Sequence, residues 1–237
     1  MLLTMGNEMS TKQAKSFWND YYNQKEFASG KAPSEFLVKM LPRLSKGKVL
    51  DVAMGEGNNA VYLAQKGYEV VGFDISSVAV DRAQELAKDT GVEITAKTAD
   101  LDLYLMGLLE YDSVIMTYFR PSIPRYYSNM ITSLKQGGCL LIESYGIPEM
   151  GDAIAKDEAY RNYYFGSNEV LKHLGGMKIL FYQEGKVDGR HVVQCLAQKP
   201  YDRHAAKHDV FGMHSGNKKA DSESSKHLEL AEKFFKS

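Results

Sequence analysis

The chain has 237 residues, a formal net charge of −1 at pH 7 and two cysteines. This length suits one α/β domain with a sizeable core. A near-neutral balance offers no overall positive field for nucleic acid or an anionic membrane, so we expect neither as a partner.

The first residues lack the apolar stretch of a secretory signal, and no apolar run is long enough to cross a membrane. Cys139 and Cys195 both lie in apolar runs, where a thiol behaves as a small buried hydrophobe. These features predict a cytoplasmic protein without a disulfide framework.

The predicted elements alternate between helices and strands. In chain order they are helices at 10–24 and at 33–44 with a break near Pro42, strand 48–53, helix 57–66, strand 69–73, helix 77–88 capped by Ser76, strands 92–97 and 111–117, helix 122–134, strand 138–144, and strands 177–184 and 190–198. This alternation predicts an α/β fold with a parallel sheet. The last two strands are separated by Gly185 and Gly189 and predict an antiparallel hairpin.

The most informative segment covers residues 49–76. An apolar run ends at Asp51, a turn of small residues follows, and a helix leads to a second apolar run that ends at Asp74. The turn from Gly55 to Ala60 fits the pattern G-x-G-x-x-A. Such a unit binds a nucleoside-containing ligand at the carboxyl edge of a parallel sheet.

The charges of this turn indicate which nucleoside it binds. Asp51 and Glu56 would both stand beside a pyrophosphate, and a close like-charge pair costs about 4 kcal/mol at an effective dielectric of about 20. The same acids favour a cationic ligand. S-adenosylmethionine carries a sulfonium and an ammonium and no phosphate, so it suits the turn better than a dinucleotide.

From about Phe17 to Pro200 the chain resembles the class I S-adenosylmethionine-dependent methyltransferases. That family has acid-x-Gly-x-Gly-x-Gly after the first strand, matched here by residues 51–57, and further acids at the positions of Asp74 and Asp100. The resemblance implies methyltransferase activity and a Rossmann-like sheet of seven strands in the order 3-2-1-4-5-7-6, with helices on both faces.

Ala53 departs from the family pattern, because it replaces the first glycine. If this position needs only a close approach to the ligand, alanine fits with a small shift. If it needs a left-handed backbone, alanine is strained and cofactor affinity is in doubt.

The resemblance also implies a cofactor site. Asp51 would orient the methionine ammonium, Gly55 and Gly57 would allow a close approach, Asp74 would accept from the ribose hydroxyls, and Asp100 and the Leu101 amide would meet the adenine. The remaining predicted cofactor contacts are Ala53, Ile75 and Thr117. Each acid has an alternative: Asp51 could accept turn N–H groups, Asp74 could cap a helix, and Asp102 rivals Asp100.

On the acceptor side, the candidate substrate residues are Trp18, Tyr22, Tyr118 and Tyr164, whose rings could hold a sulfonium. Residues 17–37 resemble small bacterial methyltransferases of the tellurite-resistance and thiol type, which implies a small-molecule acceptor. A thiol or chalcogenide is favoured, because a soft nucleophile needs little help to lose its proton. No catalytic residue and no metal site are assigned.

Two domains are expected: a methyltransferase domain over residues 1–200 with a helical cap at about 10–44, and a polar tail over 201–237. A short helix at 227–235 carries Leu228, Ala231 and Phe234 on one side, which predicts docking on the domain or self-association with a second protomer. Two other functions stay open, a nicotinamide-dependent enzyme and a non-catalytic binding protein with the methyltransferase fold.

Overall fold

The computed structural model describes residues 11–24, 27, 30–121, 123–147 and 163–201. The helices are α1 Thr11–Gln24, α2 Glu35–Met40, α3 Asn58–Gln65, α4 Ser77–Asp89, α5 Arg125–Ser133 and α6 Glu169–Lys172, with a 3-10 turn at Leu41–Arg43. The strands are β1 Lys48–Val52, β2 Glu69–Asp74, β3 Thr95–Thr98, β4 Tyr111–Thr117, β5 Leu134–Tyr145, β6 Lys178–Val187 and β7 Arg190–Gln198. The predicted tail helix lies outside the described residues, so the domain division and the docking of the tail stay predictions.

One mixed sheet organises these elements. Its strand order is β3-β2-β1-β4-β5-β7-β6. The first five strands in this order pair in parallel, and β7 pairs antiparallel with both β5 and β6. The predicted α/β fold, its strand order and its closing hairpin are therefore confirmed.

Several predicted boundaries differ from the structure. Strand β5 begins at Leu134 rather than 138, because Leu134 is fully buried opposite Tyr111 before a register shift in the β4–β5 pairing. Helix α5 consequently ends at Ser133 and begins only after Pro124. Strand β3 begins at Thr95 rather than 92.

The hairpin turn is also shorter than predicted. Gly185 lies within β6, paired with Val192, whereas the turn consists of Asp188 and Gly189 with φ angles of 48° and 83°. Two consecutive positive φ angles are typical of the tight turn whose twist matches that of a hairpin.

The core has two main layers, one on each face of the sheet. One face packs against α5 through Tyr127 and Met130. The other packs against α2 and α3, whose contributions include Leu37 and Leu63. Helix α2 gives way to the 3-10 turn at Leu41 because Pro42 has no N–H to continue an α-helix.

The parallel strands deliver their carboxyl ends to one edge of the sheet, which places the ends of β2, β1, β4 and β5 side by side. Helix α1 contacts α4 close to this edge. Within the described ranges, no helix combines the length and apolar character needed to cross a membrane.

Candidate active site at the carboxyl edge of the sheet

The turn after β1 has a left-handed backbone at three positions. The φ angles are 54° at Ala53, 55° at Gly55 and 80° at Gly57. Side chains with a Cβ rarely adopt such angles, so Ala53 holds a strained conformation, as one of the two sequence alternatives expected. A Cβ on Gly57 would lie 2.6 Å from the Cβ of Ala83, so glycine here lets α4 pack against the turn.

Asp74 organises this turn from the end of β2. Its Oδ2 accepts a hydrogen bond from the amide of Gly55 at 2.9 Å, and its Oδ1 accepts one from the amide of Ser76 at 2.9 Å. The Ser76 hydroxyl accepts from the amide of Ala79 at 3.2 Å and caps α4, as predicted. Burial raises the pKa of Asp74, while the backbone donors oppose that rise. Asp74 therefore fixes the turn and keeps acceptor capacity, since a carboxylate offers about four lone-pair positions.

Asp51 lies beneath the same turn and is 1% exposed. Neither of its carboxylate oxygens has a hydrogen-bond partner among the described residues, so the alternative in which it accepts turn N–H groups is not observed. Burial, and then the charge of Asp74, raise the pKa of Asp51 well above its usual range. An unpaired buried carboxyl group is costly, and a bound cation would relieve that cost.

Glu56 has a role that sequence reasoning missed. Its Oε1 accepts from the amide of Phe27 at 2.8 Å and from Nη1 of Arg82 at 2.8 Å. The side chain of Glu56 is buried, so it ties the segment after α1 to helix α4. The sequence marks Glu56 only as an acid in the turn, because the partners lie 29 and 26 residues away.

Helix α1 lies over the turn after β1. Asn19 Oδ1 accepts from the Ser76 hydroxyl at 2.7 Å. A Cβ on Gly55 would lie 2.9 Å from the hydroxyl oxygen of Tyr22. Burial raises the pKa of Tyr22, and the nearby charges of Asp74 and Glu56 add to the rise. Tyr22, predicted on the substrate side, therefore lies against the cofactor turn.

A cavity of about 850 Å³ opens beside the turn. Six of the predicted site residues line it: Trp18, Tyr22, Ala53, Gly55, Thr117 and Tyr118. Seven others do not: Asp51, Gly57, Asp74, Ile75, Asp100, Leu101 and Tyr164. The open cavity thus lies beside the ends of β4 and β5, whereas the acids of β1 and β2 are covered by the turn and by α1.

The wall of the cavity contains a polar row that crosses four strands. The row consists of Thr117, Glu143, Gln194 and Gln183, each paired in register with the next. Gln194 Nε2 donates to Glu143 Oε1 at 2.8 Å, and the Ser34 hydroxyl donates to Glu143 Oε2. Sequence reasoning missed this row, because its members come from four separate strands.

Asn59 joins this row to the helical side of the site. Its Nδ2 donates to Thr117 Oγ1 at 2.9 Å, and its Oδ1 accepts from the amide of Ser34 at 2.8 Å. The start of α3 and the start of α2 are thereby held against the end of β4.

Aromatic rings border the cavity on the side of β5. The ring of Tyr145 lies 4.9 Å from that of Tyr118 and 5.4 Å from that of Tyr164. Tyr118 has a φ of 53°, and burial next to Glu143 raises its pKa to about 12. Phe165, which follows Tyr164, is 1% exposed and belongs to the core.

The predicted adenine end contains a separate acid pair. Asp100 Oδ1 accepts from the amide of Asp102 at 2.9 Å. Asp102 itself is engaged by Arg125 at 2.8 Å and by the Tyr126 hydroxyl, on the side of α5. Since the amide of Ala99 donates to the Asp74 carbonyl, the chain before Asp100 runs beside the end of β2, and Asp100 stays the better candidate.

Comparisons with known proteins agree with this geometry. Residues 49–138 match the family model of a methyltransferase domain. The chain is 37% identical over 82 residues to the tRNA (uracil(54)-C(5))-methyltransferase of Pyrococcus horikoshii, covering 34% of this chain and 19% of that protein. It is 26% identical over 147 residues to the probable S-adenosyl-L-methionine-dependent methyltransferase TehB of Haemophilus influenzae, covering 60% of this chain and 49% of that protein.

Solved structures share the fold. The TehB structure from Haemophilus influenzae aligns with a TM-score of 0.61 at 22% identity, covering 77% of this chain and 67% of that one. The magnesium protoporphyrin IX methyltransferase from Synechocystis with bound S-adenosylmethionine aligns with a TM-score of 0.57 at 20% identity, covering 82% of this chain and 100% of that one.

The domain matched over residues 49–138, the acid-flanked turn and the strand order support the predicted class I S-adenosylmethionine-dependent methyltransferase. The chain is similar to TehB over more of its length than to the tRNA methyltransferase. It spans about a fifth of the length of one of these two curated relatives and about half of the other.

Proposed function

We propose that this protein transfers a methyl group from S-adenosylmethionine to a small-molecule acceptor, with a thiol or chalcogenide favoured. One observation carries the cofactor part of the proposal, namely the unpaired buried carboxyl group of Asp51 beneath a turn with three left-handed residues. A buried carboxyl group without a donor calls for a cation, and this cofactor brings an ammonium to that place.

The surrounding residues fit the cofactor in detail. Asp51 would hold the ammonium, and Asp74, already bonded to the Gly55 amide, would accept from the ribose with its remaining lone pairs. Helix α1 would exclude water through Asn19 and Tyr22. The bound cofactor supplies a methyl group on a sulfonium, which is an activated leaving group. The residues therefore have mainly to align the acceptor with that methyl.

The size and lining of the cavity support a small acceptor. Its volume of about 850 Å³ is shared between the methyl end of the cofactor and the acceptor, and tyrosines and the polar row line it. The near-neutral net charge of the chain gives no overall positive field to attract a polynucleotide. The likeness to TehB extends over 60% of the chain, against 34% for the tRNA methyltransferase.

Calorimetric titration with S-adenosylhomocysteine tests the cofactor assignment. We expect micromolar binding by the wild type and a loss of at least about tenfold in Asp74→Ala, equal to about 1.4 kcal/mol. Glu85→Ala, on the exposed face of α4, is the control and should bind like the wild type. Binding of NADH in place of S-adenosylhomocysteine would instead support the nicotinamide-dependent alternative.

An acceptor panel then separates an enzyme from a binding protein. Wild-type protein with labelled S-adenosylmethionine should methylate at least one thiol or chalcogenide faster than amines or alcohols. Cofactor binding without turnover on any member of the panel would favour the non-catalytic alternative. Turnover on RNA alone would contradict the small-molecule proposal.

A further inference from the structure

We propose that the polar row formed by Thr117, Glu143, Gln194 and Gln183 is the acceptor subsite, and that Glu143 receives the proton of an acceptor that arrives protonated. This inference rests on the proposed methyl transfer and deepens it. It names the chemical class of the acceptor, a neutral protic nucleophile such as an un-ionised thiol, and it assigns a catalytic residue.

The position of Glu143 follows from the register of the sheet. Glu143 is paired with Thr117 at the end of β4. Strand β4 in turn pairs with β1, so β4 alone separates Glu143 from the strand that leads into the turn. Glu143 is 4% exposed and yet lines the cavity, so its carboxylate is accessible from the cavity and shielded from bulk water. A carboxylate in such a place interacts strongly with whatever occupies the cavity.

The hydrogen bonds of Glu143 orient it and leave room for another donor. Oε1 accepts from Gln194 and Oε2 accepts from the Ser34 hydroxyl. Each oxygen thus uses one acceptor position, whereas a carboxylate offers about four in total. Ser34 and Gln194 therefore act as positioning residues, and the free lone pairs can accept from an S–H or O–H group in the cavity.

The other buried acids of the site are bonded to protein groups or lie away from the acceptor end of the cavity. Glu56 is paired with Arg82 and bonded to the Phe27 amide. Asp74 holds the turn, and Asp51 lies beneath it. Glu143 is therefore the buried carboxylate that faces the acceptor end of the cavity within the described part of the chain. Its carboxylate oxygens favour a neutral acceptor that can donate a proton to them.

The proposed step balances in atoms and charge. The acceptor heteroatom forms a bond to the methyl carbon, while the bond from that carbon to the sulfonium breaks and its electron pair stays on sulfur. The proton of the acceptor passes to a Glu143 oxygen. The products are the methylated acceptor, S-adenosylhomocysteine and a protonated Glu143, which returns its proton to water when the products leave.

The decisive variant is Glu143→Gln, which keeps the shape of the side chain and removes its ability to take a proton. For an alkyl thiol that is neutral at the assay pH, we expect kcat to fall by about 10²-fold or more, the usual range for a lost general base. For hydroselenide, which is already an anion, the rate should stay the same or rise. Glu85→Gln, which removes a carboxylate from the exposed face of α4 away from the cavity, is the matched control and should change neither rate appreciably.

The binding of an acceptor analogue tests the role of Glu143 without turnover. In the complex with S-adenosylhomocysteine, a small anionic acceptor analogue such as a thiocarboxylate should bind more tightly to Glu143→Gln than to the wild type. Equal losses for the neutral thiol and for hydroselenide, or unchanged analogue binding, would overturn the role of Glu143 alone. A wild type that binds S-adenosylhomocysteine but methylates nothing would contradict the proposed function and this inference together.

Discussion

At the scale of single residues, the turn after β1 contains two features that cost stability. Asp51 is a buried carboxyl group without a hydrogen-bond partner among the described residues, and Ala53 adopts a left-handed backbone. Strain and unsatisfied polar groups that persist together at one place are typical of binding sites, where the ligand relieves them. Both features can be tested by substitution.

Replacement of Asp51 should raise the melting temperature while it lowers the affinity for the ligand. In the folded state the pKa of Asp51 is raised, so the folded protein binds a proton more tightly than the unfolded chain does. Wild-type stability therefore falls as the pH rises from the unfolded pKa through the folded one. Asp51→Asn does not lose stability in this way as the pH rises. It should melt about 2–4 °C higher than the wild type at pH 8, and the difference in melting temperature should be smaller at pH 5.

The same variant should lose at least about tenfold in affinity for S-adenosylhomocysteine, because the ammonium loses its counter-charge. Thermal unfolding at several pH values and calorimetry measure the two effects. A variant that melts lower than the wild type at every pH would show that the Asp51 carboxylate has a stabilising partner.

Replacement of Ala53 by glycine should stabilise the protein. A left-handed conformation costs a residue with a Cβ about 1–2 kcal/mol, and glycine avoids that cost. After the greater flexibility of glycine in the unfolded chain is subtracted, we expect a net gain of about 0.5–1 kcal/mol in the free energy of unfolding by urea. Ala64→Gly, in helix α3, is the control and should instead lose about 1 kcal/mol. A lower free energy of unfolding in both variants would contradict the assigned backbone strain at Ala53.

At the scale of elements, helix α1 is a cover over the turn after β1 that depends on contacts with other elements for its stability. It has 14 residues and none of them is fully buried, whereas an isolated helix of this length is marginal in water. Its contacts with the site include the Asn19–Ser76 hydrogen bond and the approach of Tyr22 to Gly55. Loss of one such contact should therefore affect how long the ligand stays bound.

Asn19→Ala should release S-adenosylhomocysteine about fivefold faster, since one hydrogen bond contributes about 1 kcal/mol. Trp18 is the only tryptophan of the sequence and lines the cavity, so stopped-flow fluorescence can follow the release. Asn23→Ala, on the exposed side of the same helix, should leave the rate unchanged. An unchanged rate in both variants would mean that α1 does not restrain the ligand.

At the scale of the whole molecule, charge bears on the choice between a small acceptor and RNA. The net charge is −1, and proteins that hold RNA through phosphates do so with clustered cations. We expect no retention of a 20-nucleotide single strand in a gel-shift assay at about 50 mM salt, with or without S-adenosylhomocysteine. Micromolar binding that weakens steeply with added salt would contradict this expectation.

Local sequence patterns were sufficient for much of the fold. Helix α1 and the cap at Ser76 were predicted because they depend on periodicity and on residues a few positions apart. The start of β5 was predicted four residues late, because the pairing of Leu134 with Tyr111 involves a register shift that no local pattern announces. The strand order itself came from the family resemblance, since alternation alone does not specify it.

The sequence by itself determined that an acid-flanked turn follows β1 and that Asp74 ends β2, because strand, turn and acid are neighbours along the chain. Only the tertiary structure decided that Ala53 is left-handed and that Tyr22 lies against Gly55. It also decided that Glu143 meets Ser34, which is 109 residues away. Such contacts arise from strand register and helix packing between distant segments, and those are properties of the folded chain as a whole.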